Sequence, residues 1–135
     1  MSIEGIDHVA VAVRSLDEAV PRYETLLGRS AHRMDVEDQG VRVGVFDFGE
    51  TRLELLEPLN EESTLHDFLN EQGEGLHHVA VRTDDVETEL ERLDEREHIT
   101  CIDSSPREGA EGYRIAFLHP GSFHGTLLEL AQPPS

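Results

Sequence analysis

Two histidines recur at the same place in two similar stretches of the chain. His8 lies in residues 6–13, which read IDHVAVAV, and His78 lies in residues 76–82, which read LHHVAVR. Both stretches alternate in side-chain type, and this alternation predicts β-strands with two distinct faces. The repetition in register indicates two halves of one chain that direct the same ligand, an imidazole, toward a common centre.

Two acidic residues occupy corresponding places near the end of each half. Glu54 and Glu129 each lie between two leucines of a strand-like segment. A carboxylate in that setting lies either on a solvated face or in a polar cavity within an otherwise apolar sheet. If the two halves pair as the repeat suggests, both glutamates and both histidines occupy equivalent places about a pseudo-twofold axis.

Two imidazoles with one or two carboxylates suit a divalent metal such as Co, Ni, Mn, Fe or Zn. Open coordination positions would then accept a substrate. We therefore predict that His8, His78 and Glu129 bind a metal ion, with Glu54 as a fourth ligand. The structural alternative is that a strand histidine is exposed or hydrogen-bonded and a strand glutamate faces solvent. That interpretation applies to His77 and Glu57, and to His119 as a turn cap. It also applies to four further histidines, His32, His66, His98 and His124.

Hydrophobic periodicity and turn residues predict the order β-α-β-β-β in each half, so the predicted fold class is α+β. The first half has a strand at 6–13, a helix from Ser15 to Gly28, and strands at 31–36, 41–48 and 51–56. The second half has a strand at 76–82, a helix capped by Asp84, and strands at 99–102, 113–118 and 126–130. We predict a single domain, with module one at about 4–59, a linker at about 60–74 and module two at about 75–132.

The charge balance excludes some classes of protein. The 135 residues include 29 acidic and 11 basic residues, all of the latter arginine, for a net charge of −18. The acids are dispersed, which favours a surface adapted to high salt and a halophilic host, and argues against a nucleic-acid-binding protein. The chain has a single cysteine, Cys101, which fits a reducing compartment. It shows no signal peptide and no apolar run near the roughly 20 residues of a membrane span. We therefore predict a cytoplasmic protein without a membrane partner.

The paired modules and the histidine, histidine and glutamate pattern resemble the vicinal-oxygen-chelate (glyoxalase-like) superfamily. Within it, the chain is most similar to the methylmalonyl-CoA epimerase family, over nearly its whole length. The segments that carry the resemblance are 6–9 (IDHV), 54–59 (ELLEPL), 73–80 (GEGLHHVA), 117–120 (FLHP) and 125–130 (GTLLEL).

The resemblance implies two β-α-β-β-β modules in an open, barrel-like mixed sheet. It places metal ligands at His8, His78 and Glu129, and a fourth family position at Glu54. It implies interconversion of (R)- and (S)-methylmalonyl-CoA by metal-assisted proton abstraction at C2, hence an acyl-CoA substrate, a place in propionate metabolism and a homodimer. We expect Co²⁺ as the metal, with Mn²⁺, Ni²⁺, Fe²⁺ or Zn²⁺ as alternatives.

Inversion at C2 requires two acid–base groups, and we expect these to be Glu129 and Glu54. Some family members carry a basic glutamate three residues after the glycine of a Gln-Gly turn, where this chain has Val43. The second proton-transfer group therefore stays open. Three other functions also stay open: a glyoxalase I-type lyase, a metal-free small-molecule or drug-binding member of the superfamily, and a purely structural module. The complete ligand set argues against the last two.

Overall fold

A computed structural model describes residues 2–135 of the chain. Eight β-strands and three α-helices form over these residues. Their bounds are β1 (Ile3–Ala12), α1 (Leu16–Leu27), β2 (His32–Val36), β3 (Val41–Asp47), β4 (Arg52–Pro58), α2 (Thr64–Gln72), β5 (Gly75–Thr83), α3 (Val86–Asp94), β6 (Arg107–Glu108), β7 (Arg114–Leu118) and β8 (Leu128–Gln132). Among these described residues, no helix is both long and apolar enough to cross a bilayer.

These elements form two compact units, and β1 contributes to both of them. One unit is Val9–His77, and the other runs up to His8 and resumes over His78–Ser135. In the Val9–His77 unit the strand order is β2-β3-β4-β1, and the β2–β3 and β3–β4 pairs are antiparallel. In the other unit the order is β1-β5-β8-β7-β6. There β5 and β8 are parallel, while β8–β7 and β7–β6 are antiparallel. The module bounds given above, 4–59 and 75–132, stay a prediction.

Helix α1 begins and ends where the sequence predicts. The Ser15 side chain accepts a hydrogen bond from the Glu18 backbone N–H, the spacing of a capping box. Gly28 ends the helix in the left-handed conformation, with φ of 69°, which a residue without a Cβ adopts at little cost. Leu16 and Val20 are buried and pack in the core of the Val9–His77 unit.

Two strand predictions for the second half are wrong. Residues 99–102 do not form a strand; Cys101 makes only an isolated bridge to Leu118. The short strand of this region is β6, which pairs with β7. The last strand begins at Leu128, two positions later than predicted.

The third helix is capped by Asp85, which accepts a hydrogen bond from the Thr88 backbone N–H, and not by Asp84. Either aspartate has the chemistry of a cap, so the choice depends on packing. Helix α3 buries Val86, Leu90 and Leu93, which pack in one cluster with apolar residues of β7 and β8. These three side chains share one face of the helix because they are spaced by three and four residues.

The packing of α3 also decides where Glu129 points. Leu130 belongs to the cluster beneath α3 and is 1% exposed. Because successive side chains of a strand point to opposite faces, Glu129 emerges on the face of β8 away from the helix. Because Leu130 packs beneath α3, the Glu129 carboxylate points to the opposite face of β8.

Candidate metal centre

His8, His78 and Glu129 come together in the unit that runs up to His8 and resumes at His78. They lie on β1, β5 and β8, and their ligand atoms are all within 4.8 Å of one another. His8 Nε2 is 3.2 Å from His78 Nε2. Glu129 Oε1 is 2.8 Å from His78 Nε2, and Glu129 Oε2 is 3.6 Å from His8 Nε2. Three side chains that are distant in the sequence thus direct their donor atoms at one point.

Strand pairing explains how Glu129 reaches the histidines. In the parallel β5–β8 pair, Ala80 is the register partner of Glu129. His78 precedes Ala80 by two positions and therefore shares its face. The small Ala80 side chain leaves space beside Glu129. On the other side of β8, Phe117 is the register partner of Glu129, and its ring meets the His78 ring edge to face with centroids 5.3 Å apart.

All three donor side chains are buried, each about 3% exposed. Burial raises the pKa of the Glu129 carboxyl, but the charges and hydrogen bonds of His78 and His8 outweigh this and lower the pKa to about 2. Glu129 is therefore ionised at neutral pH. A buried carboxylate is stable only beside positive charge or strong donors, so the centre favours a bound cation or protonated imidazoles.

The separations of the donor atoms fit a shared divalent ion. Imidazole nitrogens and carboxylate oxygens bind such ions at about 2.0–2.2 Å, which places neighbouring ligand atoms about 2.8–3.6 Å apart at angles between 90° and about 109°. His78 Nε2 lies 2.8 Å from Glu129 Oε1 and 3.2 Å from His8 Nε2, and both separations fall in this range. His8 Nε2 lies 3.6 Å from the other carboxylate oxygen, Glu129 Oε2, and one donor atom from each residue lies within 4.8 Å of the others. The donor set has the chemistry for a metal of the first transition row.

Asp7, to which the strand alternation assigns no role, lies directly behind His8. Its Oδ2 accepts a hydrogen bond from His8 Nδ1 at 2.7 Å. Its Oδ1 accepts from Arg82 Nε at 3.1 Å and from the Tyr113 hydroxyl at 3.3 Å. The residue is 1% exposed. The sequence offers one sign of this role: Asp7 is an acidic residue next to the proposed ligand His8, in a strand whose other residues are mostly apolar.

Glu54 lies on β4 in the other unit, Val9–His77. It is buried, and its Oε2 is 3.2 Å from Nη2 of Arg52, which is also buried. Glu54 therefore does not sit on a solvated face, but its roles as fourth ligand and as acid–base group stay predictions. Val43, the residue at the position of the family's base, is buried and pairs in register with Leu56 on β4.

His119 and Glu57, which are both expected to have structural roles, each make a hydrogen bond to a backbone N–H. His119 caps a short 3-10 helix, because its Nδ1 accepts a hydrogen bond from the Gly121 backbone N–H at 2.9 Å. This prediction is confirmed. Glu57, for which a solvated face is predicted, is partly exposed, and its Oε1 also accepts from the Leu16 backbone N–H at 2.7 Å. Glu57 thereby holds the first turn of α1 and also lies 3.5 Å from Arg42.

Comparison with known proteins places this arrangement among its relatives. The chain is 41% identical over 129 residues to the "Uncharacterized protein YqjC" of Bacillus subtilis (strain 168), which covers 95% of this chain and 91% of that protein. It is 36% identical over 129 residues to the "Ethylmalonyl-CoA/methylmalonyl-CoA epimerase" of Cereibacter sphaeroides, which covers 94% of this chain and 96% of that protein.

A solved structure agrees with these sequence comparisons. A variant of Streptomyces coelicolor methylmalonyl-CoA epimerase, in complex with 2-nitronate-propionyl-CoA, superposes with a TM-score of 0.90 at 36% identity, covering 98% of this chain and 96% of that one. The family model described as the Glyoxalase/Bleomycin resistance protein/Dioxygenase superfamily matches residues 7–117. The predicted α+β fold class, with two β-α-β-β-β modules in the glyoxalase-like manner, is confirmed by this match and by the structural likeness. The chain therefore belongs to the glyoxalase/bleomycin resistance protein/dioxygenase superfamily.

Proposed function

We propose that this chain is a methylmalonyl-CoA epimerase, an isomerase that interconverts the (R) and (S) forms of its substrate by removing and returning the proton at C2. The convergence of His8, His78 and Glu129 at one buried point carries the proposal. The choice of substrate rests on relatives that bear this enzyme's name and are 36% identical over nearly the whole chain. The acyl-CoA class of substrate follows from the same relatives.

The metal requirement belongs to the proposal. His8, His78 and Glu129 would hold a divalent ion, Co²⁺ first and Mn²⁺, Ni²⁺, Fe²⁺ or Zn²⁺ as alternatives, with Glu54 as a fourth ligand. When bound, the ion would polarise the substrate carbonyl and stabilise the negative charge that develops on oxygen. The donor separations and the ionised Glu129 support this assignment.

The protein's own residues must then move the proton. The C2 hydrogen is acidic because it lies between a thioester and a carboxylate, and inversion requires removal on one face and delivery on the other. Glu129 on β8 and Glu54 on β4 are the proposed pair. The buried ion pair with Arg52 holds the Glu54 carboxylate in a fixed orientation, which proton transfer requires.

The proposal also covers the contacts to CoA, the oligomeric state and the host. Arg107, whose Nη1 lies 3.7 Å from Asp103 Oδ1, is the proposed contact for CoA phosphates, together with the segment 104–112. We also propose a homodimer, a cytoplasmic location in a halophilic host, and a place in propionate metabolism. The dispersed negative charge of −18 and the absence of lysine support the halophilic host.

The test measures exchange of the C2 proton with solvent deuterium. The protein is incubated with one epimer of methylmalonyl-CoA in D₂O at high salt, and exchange and epimer ratio are followed by NMR, with and without a chelator. We expect exchange that the chelator abolishes and added Co²⁺ restores. The variants Glu129→Gln and Glu54→Gln should lose exchange, and His98→Ala, which changes an exposed histidine, should retain it.

Two outcomes would contradict the proposal. Exchange that is unaffected by the chelator would exclude the metal mechanism. Turnover of a methylglyoxal–thiol adduct without any C2 exchange would favour a glyoxalase I-type lyase, which would use the same ligands.

A further inference from the structure

We propose that Asp7 is a positioning residue of the metal centre. It fixes His8 in the tautomer that leaves Nε2 available as a ligand, and Arg82 and Tyr113 hold Asp7 in the orientation this requires. The inference rests on the proposed metal role of His8, but it does not depend on the identity of the substrate.

The direction of the Asp7–His8 hydrogen bond determines the tautomer. An ionised carboxylate only accepts hydrogen bonds, so the 2.7 Å contact between Asp7 Oδ2 and His8 Nδ1 places the hydrogen on Nδ1. A histidine must be neutral to bind a metal, and a neutral imidazole carries one N–H; with that hydrogen on Nδ1, Nε2 keeps its lone pair for the ion. That nitrogen is the atom that lies 3.2 Å from His78 Nε2 and 3.6 Å from Glu129 Oε2. The available lone pair of His8 is thus directed at the candidate centre.

The two oxygens of Asp7 make different contacts. Oδ2 faces His8, while Oδ1 accepts from Arg82 Nε at 3.1 Å and from the Tyr113 hydroxyl at 3.3 Å. A carboxylate that is 1% exposed needs such partners, because an isolated buried charge is strongly destabilising. The cation and the hydroxyl together prevent the carboxylate from turning its Oδ2 away from the imidazole.

Tyr113 is itself anchored at its backbone. Its N–H donates to the Ala110 carbonyl at 3.1 Å, and its own carbonyl accepts from the Gly109 N–H at 2.9 Å. This short turn includes Glu111 in the left-handed conformation, with φ of 56°. Tyr113 directly precedes β7, which also places Phe117 against His78. Strand β7 and the residue just before it therefore contact both histidines, His8 through Asp7 and His78 through the ring of Phe117.

A purely structural ion pair between Asp7 and Arg82 makes a different prediction. In that case, removing the Asp7 charge would change the stability of the fold but neither the tautomer of His8 nor the affinity for metal. Carboxylates that orient a ligating histidine typically change metal affinity about 10–100-fold when they are altered. The test therefore measures tautomer and affinity separately from stability.

The first measurement uses the metal-free wild-type protein with ¹⁵N-labelled histidine. A long-range ¹H–¹⁵N spectrum, recorded at increasing pH until His8 shows the two unequal ring-nitrogen shifts of a neutral imidazole, reports which ring nitrogen of His8 carries the hydrogen. We expect Nδ1–H. The Nε2–H tautomer in the wild-type protein would overturn the inference, and no variant is needed to observe it.

The second measurement is a titration with Co²⁺ alone, followed by its visible absorption. In Asp7→Asn, an amide that turns its NH₂ toward His8 removes the acceptor for Nδ1–H. An amide that keeps its oxygen toward His8 sets its NH₂ against the Arg82 Nε–H, so the remaining hydrogen bond to Nδ1–H is neutral and weaker. We expect Co²⁺ affinity to fall about 10–100-fold. Tyr113→Phe, which keeps the carboxylate and removes the 3.3 Å hydrogen bond to its Oδ1, should lower the affinity several-fold at most. Asp17→Asn, which removes a surface partner of Arg33, is the matched control and should change nothing.

The outcomes separate this inference from the proposed function. A folded Asp7→Asn protein with wild-type tautomer and Co²⁺ affinity would overturn the inference. If Asp7→Asn does not fold, the wild-type tautomer and the smaller affinity change in Tyr113→Phe decide it. Neither measurement contains methylmalonyl-CoA, so a protein that binds Co²⁺ through an Nδ1–H His8 but lacks epimerase activity would support the inference and contradict the proposed function.

Discussion

His78 Nε2 and Glu129 Oε1 lie 2.8 Å apart, joining the parallel strands β5 and β8 through two buried side chains. The contact pairs an imidazole with a carboxylate whose pKa is lowered to about 2, because the two histidines outweigh the effect of burial. The same two atoms are proposed metal ligands. One contact therefore links the stability of the metal-free protein, its affinity for metal and its chemistry.

Replacing Glu129 should remove metal binding more than it disturbs the fold. Glu129→Gln keeps the size of the side chain but removes its charge, and a neutral amide oxygen binds a divalent transition metal more weakly than a carboxylate does. We expect Co²⁺ affinity to fall at least about 100-fold, with a far-UV circular dichroism spectrum like that of the wild type. Near-wild-type affinity in a calorimetric titration would contradict the role of Glu129 as a ligand.

The metal-free protein should lose stability as acid protonates Glu129. Its folded pKa is depressed from 4.5 to about 2, so its carboxylate contributes stability that is fully present above the unfolded pKa. This contribution is lost as the pH falls from near 4.5 toward 2. Urea unfolding with a chelator present, repeated across this range, should show a steeper loss in the wild type than in Glu129→Gln. Parallel curves would mean that the carboxylate titrates alike in the folded and unfolded states.

Leu130 should be important for stability, although it lies beside a proposed ligand. It is 1% exposed and packs with Leu90 and Leu93 of α3. Leu130→Ala should lower the free energy of unfolding by about 2–5 kcal/mol, as buried leucine truncations do. Leu26→Ala, at a side chain 75% exposed, should change it by less than about 0.5 kcal/mol. A similar small effect at both positions in chemical denaturation would contradict the packing of β8 under α3.

The acidic surface predicts that salt stabilises the fold. Twenty-nine acidic residues against 11 arginines leave a net charge of −18, and salt screens the repulsion between exposed carboxylates. The urea midpoint should therefore rise as KCl is raised from about 0.1 M to about 1 M, where the screening length falls from about 10 Å to about 3 Å. NaCl should act in the same way, since screening depends on ionic strength. A midpoint that falls or does not change would indicate that this charge does not limit stability.

Much of the candidate site follows from local pattern. His8 and His78 recur in register, and Glu129 lies in phase with a strand of alternating side chains. Because the side-chain period of a strand is two, such positions can be assigned to one face before any pairing is known. The caps Ser15 and Gly28 are similarly local, since a cap acts on backbone groups within a few residues.

Other features depend on contacts that no local pattern encodes. Strand alternation alone would assign Asp7 and His8 to opposite faces of β1 and so would not predict their hydrogen bond. The other partners of Asp7, Arg82 and Tyr113, lie 75 and 106 positions away in the chain. The choice between the adjacent Asp84 and Asp85 as the cap of α3 also cannot be made from residue type, since both have the chemistry of a cap.

The sequence by itself determined the α+β class, the repeated strands and the types of ligand, because these depend on periodicity and residue chemistry. Only the tertiary structure decided that His78 Nε2 lies 2.8 Å from Glu129 Oε1 and 3.2 Å from His8 Nε2, and that Asp7 supports His8. The physical reason is that those distances are set by strand pairing between distant segments. The parallel register of β5 with β8 brings Glu129 beside the histidine strand, and the packing of Leu130 under α3 turns its carboxylate to the other face.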